Sequence, residues 1–175
     1  MDLTYKDLVD FGTIGQLTEV EKDFYISYHQ ENYKEDIKIS QSLMTTSPKW
    51  SVVAGYYAMH NLAKLFLAKK FNIKVAGKYI HEAVIEALKK HIGDGTVRNK
   101  LLELLDKSRI EFELIGLNLE DKEILPFVLS EAKRERSKVQ YYKHYNISKK
   151  VATGESKKFS DSIVQPFVKI VLELM

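Results

Sequence analysis

The sequence predicts an all-α fold, a bundle of helices in a single domain. Apolar residues recur with helical spacing along almost the whole chain, and no segment alternates with period two for long. Turn formers are scarce, with 8 glycines and 3 prolines in 175 residues, as suits long helices. A chain of this length is one domain by the usual prior and buries roughly 70% of its unfolded surface. With 45% hydrophobic and 29% charged residues it is too apolar to be disordered. No linker, repeat or low-complexity run divides residues 1–175, of which 1–17 read as an N-terminal extension.

A first helix is expected from about Glu19 to about Leu43, with Leu17, Val20, Phe24, Tyr28, Ile39 and Leu43 turned inward. Its middle, "HQENYKEDIK", is very polar, so that part of the helix is expected to lie outside the core. Ser47 and Pro48 then make a start signal, an N-cap followed by proline at the first helical position. Between Trp50 and Ala68 the only residues that are not apolar are Ser51, Gly55, His60, Asn61 and Lys64. A helix apolar nearly all round is either buried or membrane-spanning. A span needs about 20 apolar residues. The charge-free run from Trp50 to Ala63 is 14 residues and contains His60 and Asn61, so the stretch reads as a buried core helix.

The third helix is placed at about Tyr79 to Ile92, with Ile80, Val84, Ala87, Leu88 and His91 on one stripe, and "GDGT" ends it. A fourth begins near Thr96, with Val97, Leu101, Leu104, Leu105, Phe112 and Ile115 on its inner face. A fifth spans about 121–145, started late or kinked by Pro126. "NISKKVATGES" is turn-like. The last helix runs from about Glu155 to Leu174, offering Phe159, Ile163, Phe167, Ile170 and Leu174 inward, with Pro166 as a kink.

Several chemistries are excluded or left without a motif. The chain has no cysteine, which removes disulfides, thiolate nucleophiles and cysteine-based zinc sites, and fits a cytoplasmic location. The acidic start "MDLTYKDLVDFG" lacks the order of a secretion signal. Among His29, His60, His81, His91 and His144 none forms an i, i+4 metal pair; "HEAVI" opens like a zincin helix but has Ile85 where the second ligand belongs. His60 is expected to be a hydrogen-bonded core histidine, and His81 a capping or packing residue. "GTIG" and "GDG" lack the strand and the Lys-Ser/Thr of a phosphate loop. No metal or cofactor enters the reading.

Charge is segregated along the chain. Residues 1–36 carry nine acids against three lysines, and residues 131–158 carry nine Lys/Arg against three Glu. The basic segment contains "EAKRERSKVQYYKHY". On a helix Arg136, Gln140, Lys143 and His144 fall within a sector of ~100°, with Arg134, Lys138 and Tyr141 on the neighbouring stripe. Cations take phosphates, tyrosine rings stack on unpaired bases, and histidine moves protons near neutral pH, a combination suited to RNA. The alternative is a solvated basic face.

The order of features also resembles a known family. A buried helix reading "YYAMHNLAKLFL", a helix opening "YIHEAVIEAL", a later "RSKVQYY" and a final apolar helix are similar to the HEPN domain, across about residues 18–174. The resemblance implies an up-down helical bundle of four to six helices, commonly a homodimer. Many HEPN proteins are RNases of toxin–antitoxin or defence systems, with an Arg, four to six residues, then His. Others bind nucleotides or partner a minimal nucleotidyltransferase. Here seven residues separate Arg136 from His144, ~12 Å along a straight helix. The expectation is therefore a cytoplasmic, HEPN-like module that binds RNA or a nucleotide, or partners a nucleotidyltransferase subunit, through Arg134, Lys138, Tyr141 and Lys143. One alternative is a metal-independent RNase using Arg136 and His144; another is a structural bundle with no ligand site.

Overall fold

A computed structural model describes residues 3–114 and 154–175. The described chain is mostly helical, with one two-stranded antiparallel sheet. Helix α1 (Tyr5–Asp10) opens with a capping box in which Thr4 and Asp7 bond reciprocally. Strand β1 (Ile14–Gln16) follows, and helix α2 (Glu19–Leu43) is closed at its start by the Glu21 carboxylate, which accepts from the Thr18 hydroxyl at 2.8 Å. The segment read as an N-terminal extension thus packs into the molecule, with Leu8 and Ile14 buried.

Helix α3 (Pro48–Phe71) is the hidden axis, buried along almost its whole length as its composition requires. Asn72 ends it in the left-handed conformation, at φ 57°, and its side-chain amide donates to the Leu17 carbonyl at 3.0 Å. That contact leads directly into strand β2 (Ile73–Val75), which pairs with β1 in the register Ile14 with Val75. The outer edge of β2 is closed by Tyr25 of α2. Its hydroxyl donates to the Val75 carbonyl and accepts from the Val75 N–H, both at 3.0 Å. Lys74 pairs with Glu21, and this contact with the Thr18 bonds lowers the Glu21 pKa to about 2. Strands this short leave no alternating pattern by which a sequence could reveal them.

Helices α4 (Ile80–His91) and α5 (Gly95–Leu114) cover α3 with the residues expected of them. Val84, Ala87 and Leu88 are buried from α4, and Leu101, Leu104, Leu105 and Phe112 from α5. Asp94 starts α5 by accepting from the Thr96 and Val97 N–H groups at 2.8 and 3.1 Å. At the C-terminal end, helical residues 154–159 lead into a π-helical turn, Ser160–Val164, and then α6 (Gln165–Leu174). The widened turn lies just before Pro166, whose missing N–H cannot bond back, so the expected kink is taken up as one i→i+5 turn. Phe159, Ile163 and Phe167 are buried there.

The structure overturns the expected inner face of α2. Val20 is 94% exposed, Phe24 76%, and Tyr28 and Ile39 are exposed as well. The face packed on α3 carries Ile26, His29, Tyr33, Ile37 and Ser40 instead, about 180° round the helix. Both stripes have helical spacing, and the more apolar one was expected inward. The partner decides otherwise. Ser51 of α3 donates to the Ser40 carbonyl at 2.6 Å and its own carbonyl accepts from Ser40 Oγ at 2.8 Å, so α2 must turn its polar face to α3. Next to this contact, Gly55 lets α2, Phe159 and Val164 approach; a Cβ there would lie 3.0 Å from the Phe159 ring. No described helix is long and apolar enough to cross a membrane.

Candidate functional site

The five interruptions in the apolar run of α3 divide into two groups. Ser51 and Gly55 serve the close contact just described. His60, Asn61 and Lys64 recur at helical spacing, and with Tyr57 they share one face of α3. This strip meets α2 on one side and α4 and α5 on the other.

Toward α2, Asn61 bridges two titratable groups. Its Oδ1 lies 2.9 Å from His29 Nδ1 and its Nδ2 donates to Asp36 Oδ2 at 2.8 Å. A carbonyl oxygen can only accept, so His29 carries a proton on Nδ1. Burial lowers the His29 pKa to about 4 and raises that of Asp36 to about 6, the latter opposed by the Asn61 hydrogen bond. Burial also pushes the Tyr57 hydroxyl up, with Asp36 adding to it. His29 and Asp36 come from "HQENYKED", two turns apart on one face. The polar middle of α2 therefore does not lie outside the core there: His29 is only 5% exposed.

Toward α4 and α5, the His60 ring is 4% exposed, with Nε2 3.3 Å from His81 Nδ1, and the Tyr56 hydroxyl is 2.9 Å from that same His81 atom. His60 and His81 meet edge to face, with centroids 4.5 Å apart, and Phe112 of α5 packs on Tyr56. His60 is a hydrogen-bonded core residue and His81, at the start of α4, a packing residue, as expected. Nδ1 of His81 thus faces two partners, and the tautomers of the two rings decide which atom donates. Nδ1 of His60 is buried and has no hydrogen-bond partner. Burial drives the His60 pKa well down and that of His81 to about 4, and the charge of Lys64 lowers both further; Arg109 of α5 also lowers His81.

Lys64 stands between the two groups. It is partly buried, and desolvation lowers its pKa to about 8. It makes no hydrogen bond or ion pair with any carboxylate among the described residues, whereas Lys74, Lys89, Lys100 and Lys107 each have one. The strip thus holds a desolvated lysine and three neutral histidines, with the Asp36 carboxylate on its α2 side and Arg109, which pairs with Asp106 at 3.3 Å, on its α5 side. Among the described residues no group of three metal-ligating side chains comes together.

The basic-segment residues Arg134, Arg136, Lys138, Tyr141, Lys143 and His144 lie outside the described residues. The sequence reading passed over Lys64 and the His29–Asn61–Asp36 bridge. The signal was present in α3, where polar residues at positions 60, 61 and 64 interrupt an apolar helix on one face. Their partners on α2 could not be paired with them without the helix rotation. Fold and site together define a helical bundle with a cationic polar strip on its central helix. Compared with protein-family models, curated proteins and solved structures, the chain matches none of them.

Proposed function

We propose that the protein is a HEPN-like module that binds a nucleotide or RNA, acting as a homodimer and as the non-catalytic or toxin half of a nucleotidyltransferase-linked toxin–antitoxin pair. The observation that carries the ligand class is Lys64, a desolvated lysine with no anionic partner among the described residues, on the same face as His60 and Asn61. Keeping such a charge costs stability, and a bound phosphate offsets that cost. The basic composition of residues 131–158 supports the same ligand class. Self-association is supported by the opposite charge of regions 1–36 and 131–158 in the sequence, and by the exposed Val20, Phe24 and Tyr28 on α2.

The test is retention of a short RNA and of a mononucleotide, followed by fluorescence anisotropy at rising salt. Binding should weaken steeply with salt, and charge reversal at Arg134, Arg136 and Lys138 should weaken RNA binding. Wild-type protein that binds neither ligand at low salt ends the proposal. Cleavage of RNA in EDTA, lost in His144→Ala, would move the assignment to the RNase reading.

A further inference from the structure

We propose that the outer face of α2 is a dimer interface, covered by α2 of a second copy of this chain running antiparallel to it. This inference rests on the homodimer part of the reading above and names the surface and its geometry.

Among the described elements α2 packs chiefly on α3, so the opposite side of the helix faces outward. That side carries a ridge of apolar residues. Val20, Phe24 and Tyr28 follow one another at i, i+4 spacing and are all exposed, and Ile39 is exposed toward the other end of the helix. The Phe24 and Tyr28 rings stack on each other with centroids 6.2 Å apart. Exposed apolar residues scattered singly need no partner, but a row along one helix face offers a ridge on which a second helix packs.

The charges beside the ridge select the occupant and its direction. Glu19 and Asp23 are exposed in the N-terminal half of α2, and Lys34 and Lys38 in the C-terminal half. A twofold axis between positions 28 and 29 brings position 19 level with 38, and 23 with 34, when the helices run antiparallel. Asp23 then meets the partner's Lys34, and by symmetry Lys34 meets the partner's Asp23. At 100° per residue these two lie about 20° apart round the helix, on the same flank of the ridge, as contact across such an axis requires. The other exposed acids, Glu31 and Glu35, fall level with positions 26 and 22, an isoleucine and a lysine, so no exposed acid of α2 opposes another. The same register sets the two copies of Tyr28 beside the axis and brings Val20 within one turn of the partner's Ile39. Parallel helices would instead set each charge level with its own like. The ridge thus supplies affinity, and the charges fix the direction.

Sedimentation of the full-length protein across the micromolar range tests this. The wild type should form a dimer. Asp23→Lys and Lys34→Glu each place two like-charge contacts in that dimer and should raise its dissociation constant about tenfold or more. An equimolar mixture of the two variants should dimerise again, because each chain supplies the charge that the other lacks, and the double variant should regain the dimer alone. Both side chains are exposed, so the fold should be kept, as circular dichroism checks. A wild-type dimer indifferent to both reversals, or a mixture no tighter than its components, would overturn this interface and leave the homodimer reading standing. A wild type that stays monomeric would overturn both, with RNA and nucleotide retention judged separately. A monomer that loses stability in Phe24→Ser would overturn the inference by showing the ridge covered within its own chain.

Discussion

Nε2 of His60 lies 3.3 Å from Nδ1 of His81, two rings edge to face in a place where neither can take a second charge cheaply. With His29, three histidines are held neutral in the folded chain, their pKa values lowered by burial to about 4 for His29 and His81 and well down for His60.

The first prediction is acid sensitivity. Between about pH 6.5 and pH 4 the unfolded chain binds protons that the folded histidines refuse, so stability is full above that window and falls as pH drops through it. Asp36, raised to about 6, works the other way, taking up a proton in the folded state first. Three histidines outweigh one carboxyl. Urea unfolding should show a loss of about 2 kcal/mol or more between pH 7 and pH 4.5. A flat profile would show that the histidines are already solvated.

Lys64 should be stabilised by losing its charge. With a folded pKa of about 8, below its ordinary value, the unfolded lysine binds its proton more tightly, and stability rises with pH through about 8 to 10.5. Lys64→Met keeps the packing of the stem and removes the charge. It should raise stability at pH 7 by about 1 kcal/mol, measured as an increased urea midpoint with unchanged slope. A lower midpoint would mean that Lys64 has a structural partner.

Asn61 satisfies a buried histidine and a half-buried carboxylate at once, so its removal should cost more than one hydrogen bond. Asn61→Ala leaves His29 Nδ1 and Asp36 Oδ2 unmatched and should destabilise by about 2–3 kcal/mol. In a double-mutant cycle with Asp36→Ala the two losses should be clearly less than additive. Additive losses would show that the bridge does not form in solution.

Gly55 marks the tightest approach to the central helix. A methyl group there meets Phe159 at 3.0 Å, Val164 at 3.1 Å and Ser40 at 3.2 Å. Gly55→Ala therefore should lose about 1–3 kcal/mol through crowding, although alanine favours helix intrinsically. Thermal unfolding decides the sign.

The orientation of α2 has a direct test. Val20→Ser and Phe24→Ser should each change the stability of a dilute sample by less than about 0.5 kcal/mol, because both side chains are already in water. Phe167→Ala, fully buried, should cost about 3–5 kcal/mol by the same assay. If the helix faced inward as its apolar stripe suggested, the two α2 substitutions would unfold the protein. If the stripe serves self-association, they should lower the mass found by light scattering at micromolar concentration without changing stability.

The sequence by itself determined the bundle. Helix α2 runs from Glu19 to Leu43 and α3 begins at Pro48, as their spacing and start signals require. The burial of α3 follows from its composition, and the apolar stripes of α4, α5 and the last helix lie inward for the same reason, since burial of apolar area is non-directional and legible in a pattern. Only the tertiary structure decided which face of α2 meets α3, that residues 14–16 and 73–75 pair as strands, and that His29 and Asp36 converge on Asn61. Hydrogen bonds are directional and need both partners in place. A polar residue in one helix therefore does not reveal which residue, 25 or 32 positions away, it will meet.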